Sequence, residues 1–142
     1  MSFLLDTNCW MELARRRPSA DLVAELISIV PRRQLFVSVF SVHSIGVLFR
    51  RKGMIDGYID FLNYASIGIE LKIVDVPLHQ FDRVVAVCRS YRLDFDDAYQ
   101  YTAAELNGLS LVSLDADFDR TPNGRLTPAA ALERFKQEPK QQ

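Results

Sequence analysis

Short apolar runs that close on polar residues, separated by longer segments with helical periodicity, restrict this chain to few folds. Ser2 to Leu5 is apolar and ends at Asp6. Leu35 to Ser38, Ile69 to Val76 and Leu109 to Leu114 have the same strand character. Between them, Thr7 to about Arg17 places Trp10, Leu13 and Ala14 on one helical face. Ser19 precedes a helix carrying Leu22, Val23, Leu26, Ile27 and Val30 that ends before Pro31. Further helices are expected from Phe40 to Lys52, closed by Gly53, and from Met54 to Ser66. Others start at Pro77 and at Asp94, and the last runs from Thr127-Pro128 through Phe135. Strands alternating with helices, and a fourth strand apolar enough for burial on both faces, predict an α/β domain with a mostly parallel sheet.

Composition agrees with one such domain. The chain has 142 residues, 49% of them hydrophobic and 25% charged, with a formal net charge of −1. A core of useful size is affordable at this length, and the charge balance excludes a strongly basic nucleic-acid module. We read one domain over residues 1–136 and a polar tail over 137–142. Cys9 and Cys88 are too few and too far apart for a metal signature or a disulfide framework; both are expected to be small buried hydrophobes. No apolar run approaches the roughly 20 residues of a membrane span and no signal peptide is legible, so the expectation is a cytoplasmic protein without a membrane partner.

Three acidic segments carry the chemistry: Asp6-Thr7-Asn8, Asp94 to Ala98, and Ser113 to Phe118. Asp6 and Asp115 follow expected strands, and parallel sheets gather ligands at the carboxyl ends of their strands. Asp97 lies in the first turn of a helix that can return to the same edge. Carboxylates brought together from such distant segments suit a hard divalent cation, because without one they raise each other's pKa. Each acid also has a plain structural alternative. Asp6 can cap a helix, Asp94 has capping-box spacing to Asp97, Asp96 can face solvent, and Asp115 and Asp117 can be turn residues. A receiver domain would also cluster aspartates, but no lysine follows a suitable strand.

The segments "FLLDTN", "LDFDDAYQYTAAELNGLSLVSLDADF" and "LTPAAALERF" resemble the PIN domain, and within it the VapC-type ribonuclease toxins of toxin–antitoxin pairs. The resemblance spans nearly the whole chain. It implies a PIN-like three-layer α/β/α fold with a mostly parallel central sheet of four to five strands. It also implies Asp6, Asp97 and Asp115 as catalytic metal ligands, Asp117 as an additional metal-ligating acid, and Asn8 and Ser113 as supporting polar groups. The implied cofactor is Mg²⁺ or Mn²⁺, and the implied activity is RNA phosphodiester hydrolysis. The implied partners are RNA, a cognate antitoxin and a second copy of the chain.

One position departs from the family pattern. After the second strand the family has Ser-x-x-Thr-x-x-Glu, whereas this chain reads Ser38-Val39-Phe40-Ser41-Val42-His43-Ser44, so Ser44 stands where the second acidic ligand is expected. No acid occurs from Pro31 through Met54, and adjacent His43 points about 100° away on a helix. The alternative to a ribonuclease is therefore a degenerate PIN domain that binds RNA or a protein with little or no cleavage. Arg15-Arg16-Arg17, Arg32-Arg33 and Arg50-Arg51-Lys52 are read either as complements to helix C-termini or as phosphate contacts. The apolar segment holding Ile55, Tyr58, Ile59, Phe61, Leu62 and Tyr64 is read either as a dimer or partner surface or as core.

Overall fold

The computed structural model describes residues 1–140. Its centre is a four-stranded parallel sheet of β1 (Phe3–Leu5), β2 (Leu35–Ser38), β3 (Lys72–Val74) and β4 (Ser110–Val112), in the order β3-β2-β1-β4. β1 pairs with β2 from Phe3 against Leu35, and with β4 from Phe3 against Ser110 through Leu5 against Val112.

Alternation along β1 builds the three layers. Phe3 and Leu5 enter one core and Leu4 the other, as the period of two along a strand requires. The first face is covered by α1 (Thr7–Ala14), α2 (Ala20–Ile29), α3 (Val39–Arg51), α4 (Ile55–Asn63) and α7 (Pro128–Gln137). The second is covered by α5 (Phe81–Tyr91) and α6 (Phe95–Leu106). Burial on both sides explains why β1 and β4 read as unbroken apolar runs rather than as alternating ones.

Side-chain caps set most helix starts. Asp6, Ser38, Asp94 and Thr127 accept from backbone N–H groups at the starts of α1, α3, α6 and α7, each satisfying a donor that the helix leaves open. Several expected boundaries shift for local reasons. α1 stops at Ala14 rather than near Arg17, and Arg16 takes the left-handed conformation at φ 51°. The helix expected to Ser66 ends at Asn63 and widens into a π turn over Tyr64–Gly68. Its closing bonds, Ile69 N–H to Tyr64 and Leu71 N–H to Ala65, shorten β3 to three residues. Pro77 starts a 3₁₀ turn, and α5 follows at Phe81. Among the described residues no fifth strand forms; Leu126 contributes one isolated parallel bridge to Val112.

Cys9 is fully buried and its Sγ donates to the Val112 carbonyl, whereas Cys88 is only partly buried. Among the described residues no helix is long and apolar enough to cross a membrane. Of the expected tail, Gln137 closes α7 and Glu138 pairs with the N-terminal amine at 3.1 Å; residues 141 and 142 lie outside the described residues.

Candidate metal centre

The chain leaves β1 for β2 and β3 on one side, then returns through α5 and α6 to β4 on the other side of β1. The reversal lies between β1 and β4, and open parallel sheets bind ligands at such a reversal, beyond the carboxyl ends of the strands. Asp6 and Ser113 occupy this point.

Asp6 is 5% exposed and heavily hydrogen-bonded. Its Oδ1 accepts from the Thr7 amide at 2.8 Å and from Gln100 Nε2 at 2.9 Å. Its Oδ2 accepts from Ser113 Oγ at 2.7 Å and, more distantly, from Asn8 Nδ2 at 3.4 Å. Ser113 Oγ also accepts from Asn8 Nδ2 and from the Asp115 amide, at 3.1 and 3.0 Å. Asn8 Oδ1 takes the Leu114 N–H, which leads the backbone out of the sheet two residues earlier than the apolar pattern suggests. Burial raises the pKa of the Asp6 carboxyl, and the Gln100, Ser113 and Thr7 donors oppose that rise.

Asp97, Asp115 and Asp117 form the second part of the site, each offering a carboxylate oxygen within 4.8 Å of the others. Asp97 sits at the start of α6, where its own N–H bonds to Asp94 Oδ1 at 2.8 Å; Asp94 is thus the cap. Asp115 caps a 3₁₀ turn over Ala116–Arg120 by accepting from the Asp117 N–H. Phe118, fully buried, pins that turn into the second core. Burial, followed by the carboxylates of Asp94, Asp115 and Asp6, pushes Asp97 up to about 8. Asp6 lies outside the cluster of three, beneath it in the core, but close enough for its charge to act on Asp97.

Other sequence expectations fall elsewhere. Ser44 lies on α3 one turn beyond Ser41, half-buried, and His43 is exposed. Arg15, Arg16 and Arg17 follow the end of α1, and Arg50, Arg51 and Lys52 form the last turn and cap of α3. Both helices start at the acidic edge, so these basic clusters are carried away from it by about 12 and 20 Å at 1.5 Å per residue. The cations beside the acids are others. Arg120 donates to Asp117 at 3.1 Å, and its remaining nitrogens hold the Tyr91 and Arg92 carbonyls. Arg125 donates to the Ser113 carbonyl and pairs with Asp119.

Sequence reasoning missed Gln100 and Ser41. Gln100 sits one turn after Asp97, and its Nε2 reaches both Asp6 and Ser41 Oγ, the latter at 2.8 Å. Ser41 Oγ in turn meets Thr7 Oγ1 at 2.8 Å. A glutamine amid Tyr99, Tyr101 and Thr102 reads as one more helical residue; the available signal was its i+3 spacing from Asp97.

The PIN domain family model matches residues 3–124. The chain belongs to the PIN domain family. Solved structures similar to this PIN domain include a chain of a toxin–antitoxin complex from Klebsiella pneumoniae, at TM-score 0.70 and 24% identity over 89% of this chain and 98% of that one. Another is VapBC2 from Rickettsia felis bound to a promoter DNA fragment, at TM-score 0.73 and 15% identity over 89% and 97%. A third is FitAcB from Neisseria gonorrhoeae, at TM-score 0.66 and 14% identity over 89% and 98%. No match to the sequence is found among curated proteins.

The donor set of this PIN domain fits a hard divalent cation. All three clustered groups are carboxylates, the ligand type that Mg²⁺ and Mn²⁺ favour. Octahedral coordination at about 2.1 Å spaces oxygens roughly 3 to 4.2 Å apart, so small side-chain rotations bring the 4.8 Å group into range.

Proposed function

We propose that this PIN domain is a VapC-type ribonuclease toxin that hydrolyses RNA phosphodiester bonds with Mg²⁺ or Mn²⁺. The observation that carries the reading is the convergence of Asp97, Asp115 and Asp117 beside the buried Asp6 at the β1/β4 reversal. Asp97, Asp115 and Asp117 hold the cation, and Asp6 completes the negative field beneath it. A divalent ion there supplies stabilisation of the charge developing on a phosphodiester and a water of lowered pKa. The chain's own part is positional. Ser113 and Asn8 orient Asp6, Asp94 holds the start of α6, and Asp115 orders the turn carrying Asp117. Arg120 and Arg125, next to the acids, are the phosphate contacts of this reading; the basic clusters at the far ends of α1 and α3 are not.

The test is an RNA cleavage assay with Mg²⁺ and with Mn²⁺, together with Mn²⁺ titration calorimetry. Wild type cleaves and binds metal, and Asp97→Asn and Asp6→Asn abolish cleavage. A folded wild type that binds no Mn²⁺ at millimolar concentration sinks the reading. Ser44→Glu restores the family's second acid and is expected to tighten Mn²⁺ binding and raise cleavage; no change in either would show that position 44 does not face the ion.

One observation favours a second reading, a PIN domain that binds RNA or a protein without cleaving. Ser44 supplies no charge where the family has a carboxylate, and Asp117 is already paired with Arg120. RNA retention without cleavage, in either metal, selects it.

The partner reading is an antitoxin in the cytoplasm, with self-association of the toxin. α4 presents two apolar faces. Tyr58 and Phe61 turn inward, where Phe61 meets Trp10 and Tyr58 Oη donates to the Val42 carbonyl. Ile55, Ile59, Leu62 and Tyr64 remain exposed. An antitoxin arginine suits the acidic centre, since a guanidinium pairs with carboxylate in two parallel bonds.

A further inference from the structure

We infer that Gln100 is a positioning residue that sets the geometry of the acidic centre by locking α6, the carrier of Asp97, onto the ends of β1 and β2. The inference rests on the metal-site reading above and adds a residue outside the acidic set.

Gln100 is 1% exposed. Both ends of its carboxamide are used. The two Nε2 hydrogens go to Asp6 Oδ1 at 2.9 Å and Ser41 Oγ at 2.8 Å, and Oε1 accepts from Ser38 Oγ. Asp6 follows β1 and caps α1, Ser38 ends β2 and caps α3, and Ser41 lies in the first turn of α3. One side chain therefore ties three elements together at the level of the site. Filling space does not account for it, because an apolar side chain does so without the cost of burying an amide. The neighbouring buried polar residue shows the contrast: Thr102 spends its hydroxyl on its own helix, at the Ala98 carbonyl.

The effect on Asp97 follows from helix geometry. Residues three apart share a face, so Gln100 and Asp97 move together when α6 turns or slides. The carboxamide has a donor end facing a carboxylate and an acceptor end facing a hydroxyl, which fixes α6 in one orientation. A leucine packs there without that direction. A glutamate keeps the Ser38 bond but turns an acceptor toward Asp6.

The experiment compares wild type, Gln100→Leu, Gln100→Glu and Thr102→Val as a packing control. Thermal melts and Mn²⁺ calorimetry are run on each, with metal-free crystal structures of wild type and both Gln100 variants. We expect both Gln100 variants to lose about 10- to 100-fold in Mn²⁺ affinity, the range for groups that orient metal ligands. Thr102→Val should melt earlier yet bind Mn²⁺ as wild type does. In the crystals the Asp97 carboxylate should leave its place beside Asp115 and Asp117 by about 1 Å, a shift large enough to cost about 100-fold in a positioned reaction. Unchanged Mn²⁺ affinity in a folded Gln100 variant overturns the inference. If wild type binds no Mn²⁺, the metal reading fails and the crystals decide this one: Asp97 displaced in either variant supports positioning, and Asp97 unmoved in both overturns it. If Gln100→Leu does not fold, the length-preserving Gln100→Glu carries the same comparison.

Discussion

Ser113 shows how much one hydroxyl does here. It donates to Asp6 and accepts from both Asn8 and the Asp115 amide, with no exposed surface. Ser113→Ala leaves the Asp115 N–H unpaired and Asp6 Oδ2 with only the long Asn8 bond. We expect a loss of about 1–3 kcal/mol in urea denaturation. Asp97 makes a pH prediction. Burial and neighbouring carboxylates raise it from 3.8 to about 8 in the fold. Between those values the folded protein holds a proton that the unfolded chain has released. Metal-free stability should therefore fall as pH rises from about 4 to about 8. Burial also raises Asp6, which adds to the same slope. Melting temperatures across that range, with Asp97→Asn showing a shallower slope, check the sign; added Mn²⁺ should stabilise more at pH 8 than at pH 5. The acids were legible in the sequence because each lies where a strand or helix boundary is marked by its neighbours. Gln100 and Ser41 were not, because their importance comes from contacts across 94 and 59 residues that no local pattern encodes.

At the scale of elements, α3 and α4 meet through two glycines. A Cβ built on Gly57 would lie 2.8 Å from Phe49 Cε1, and one on Gly46 would lie 3.0 Å from the Tyr58 ring. The helices approach closely because those positions have no side chain. Gly57→Val should force them apart at a cost of about 1–3 kcal/mol, measured by denaturation. Periodicity identified all seven α-helices and four strands of the described residues. It erred at boundaries set by tertiary bonding: β3 loses residues 69–71 to the bonds that close the π turn, and β4 ends where Asn8 captures the Leu114 amide. The fifth strand allowed by the family resemblance shrinks to a single bridge at Leu126.

Across the whole molecule, the acidic edge and the apolar outer face of α4 are separate features. Ile59 and Ile67, exposed at 54% and 76%, lie on the α4 side and take no part in the centre. If that face joins two copies or holds an antitoxin, Ile59→Glu with Ile67→Glu should give a monomer by light scattering with little change in melting temperature. An unchanged mass for an oligomeric wild type would place the contact elsewhere. The order β3-β2-β1-β4 has another consequence, for the chain during its synthesis. Asp6 is synthesised 107 positions before Ser113, the residue just after β4 that donates to its Oδ2 at 2.7 Å. A ribosome-bound fragment ending before β4 has Asp6 and Asp97 but neither Asp115 nor Asp117. The acidic centre therefore exists only once the chain through Asp117 has been synthesised and β4 has joined β1.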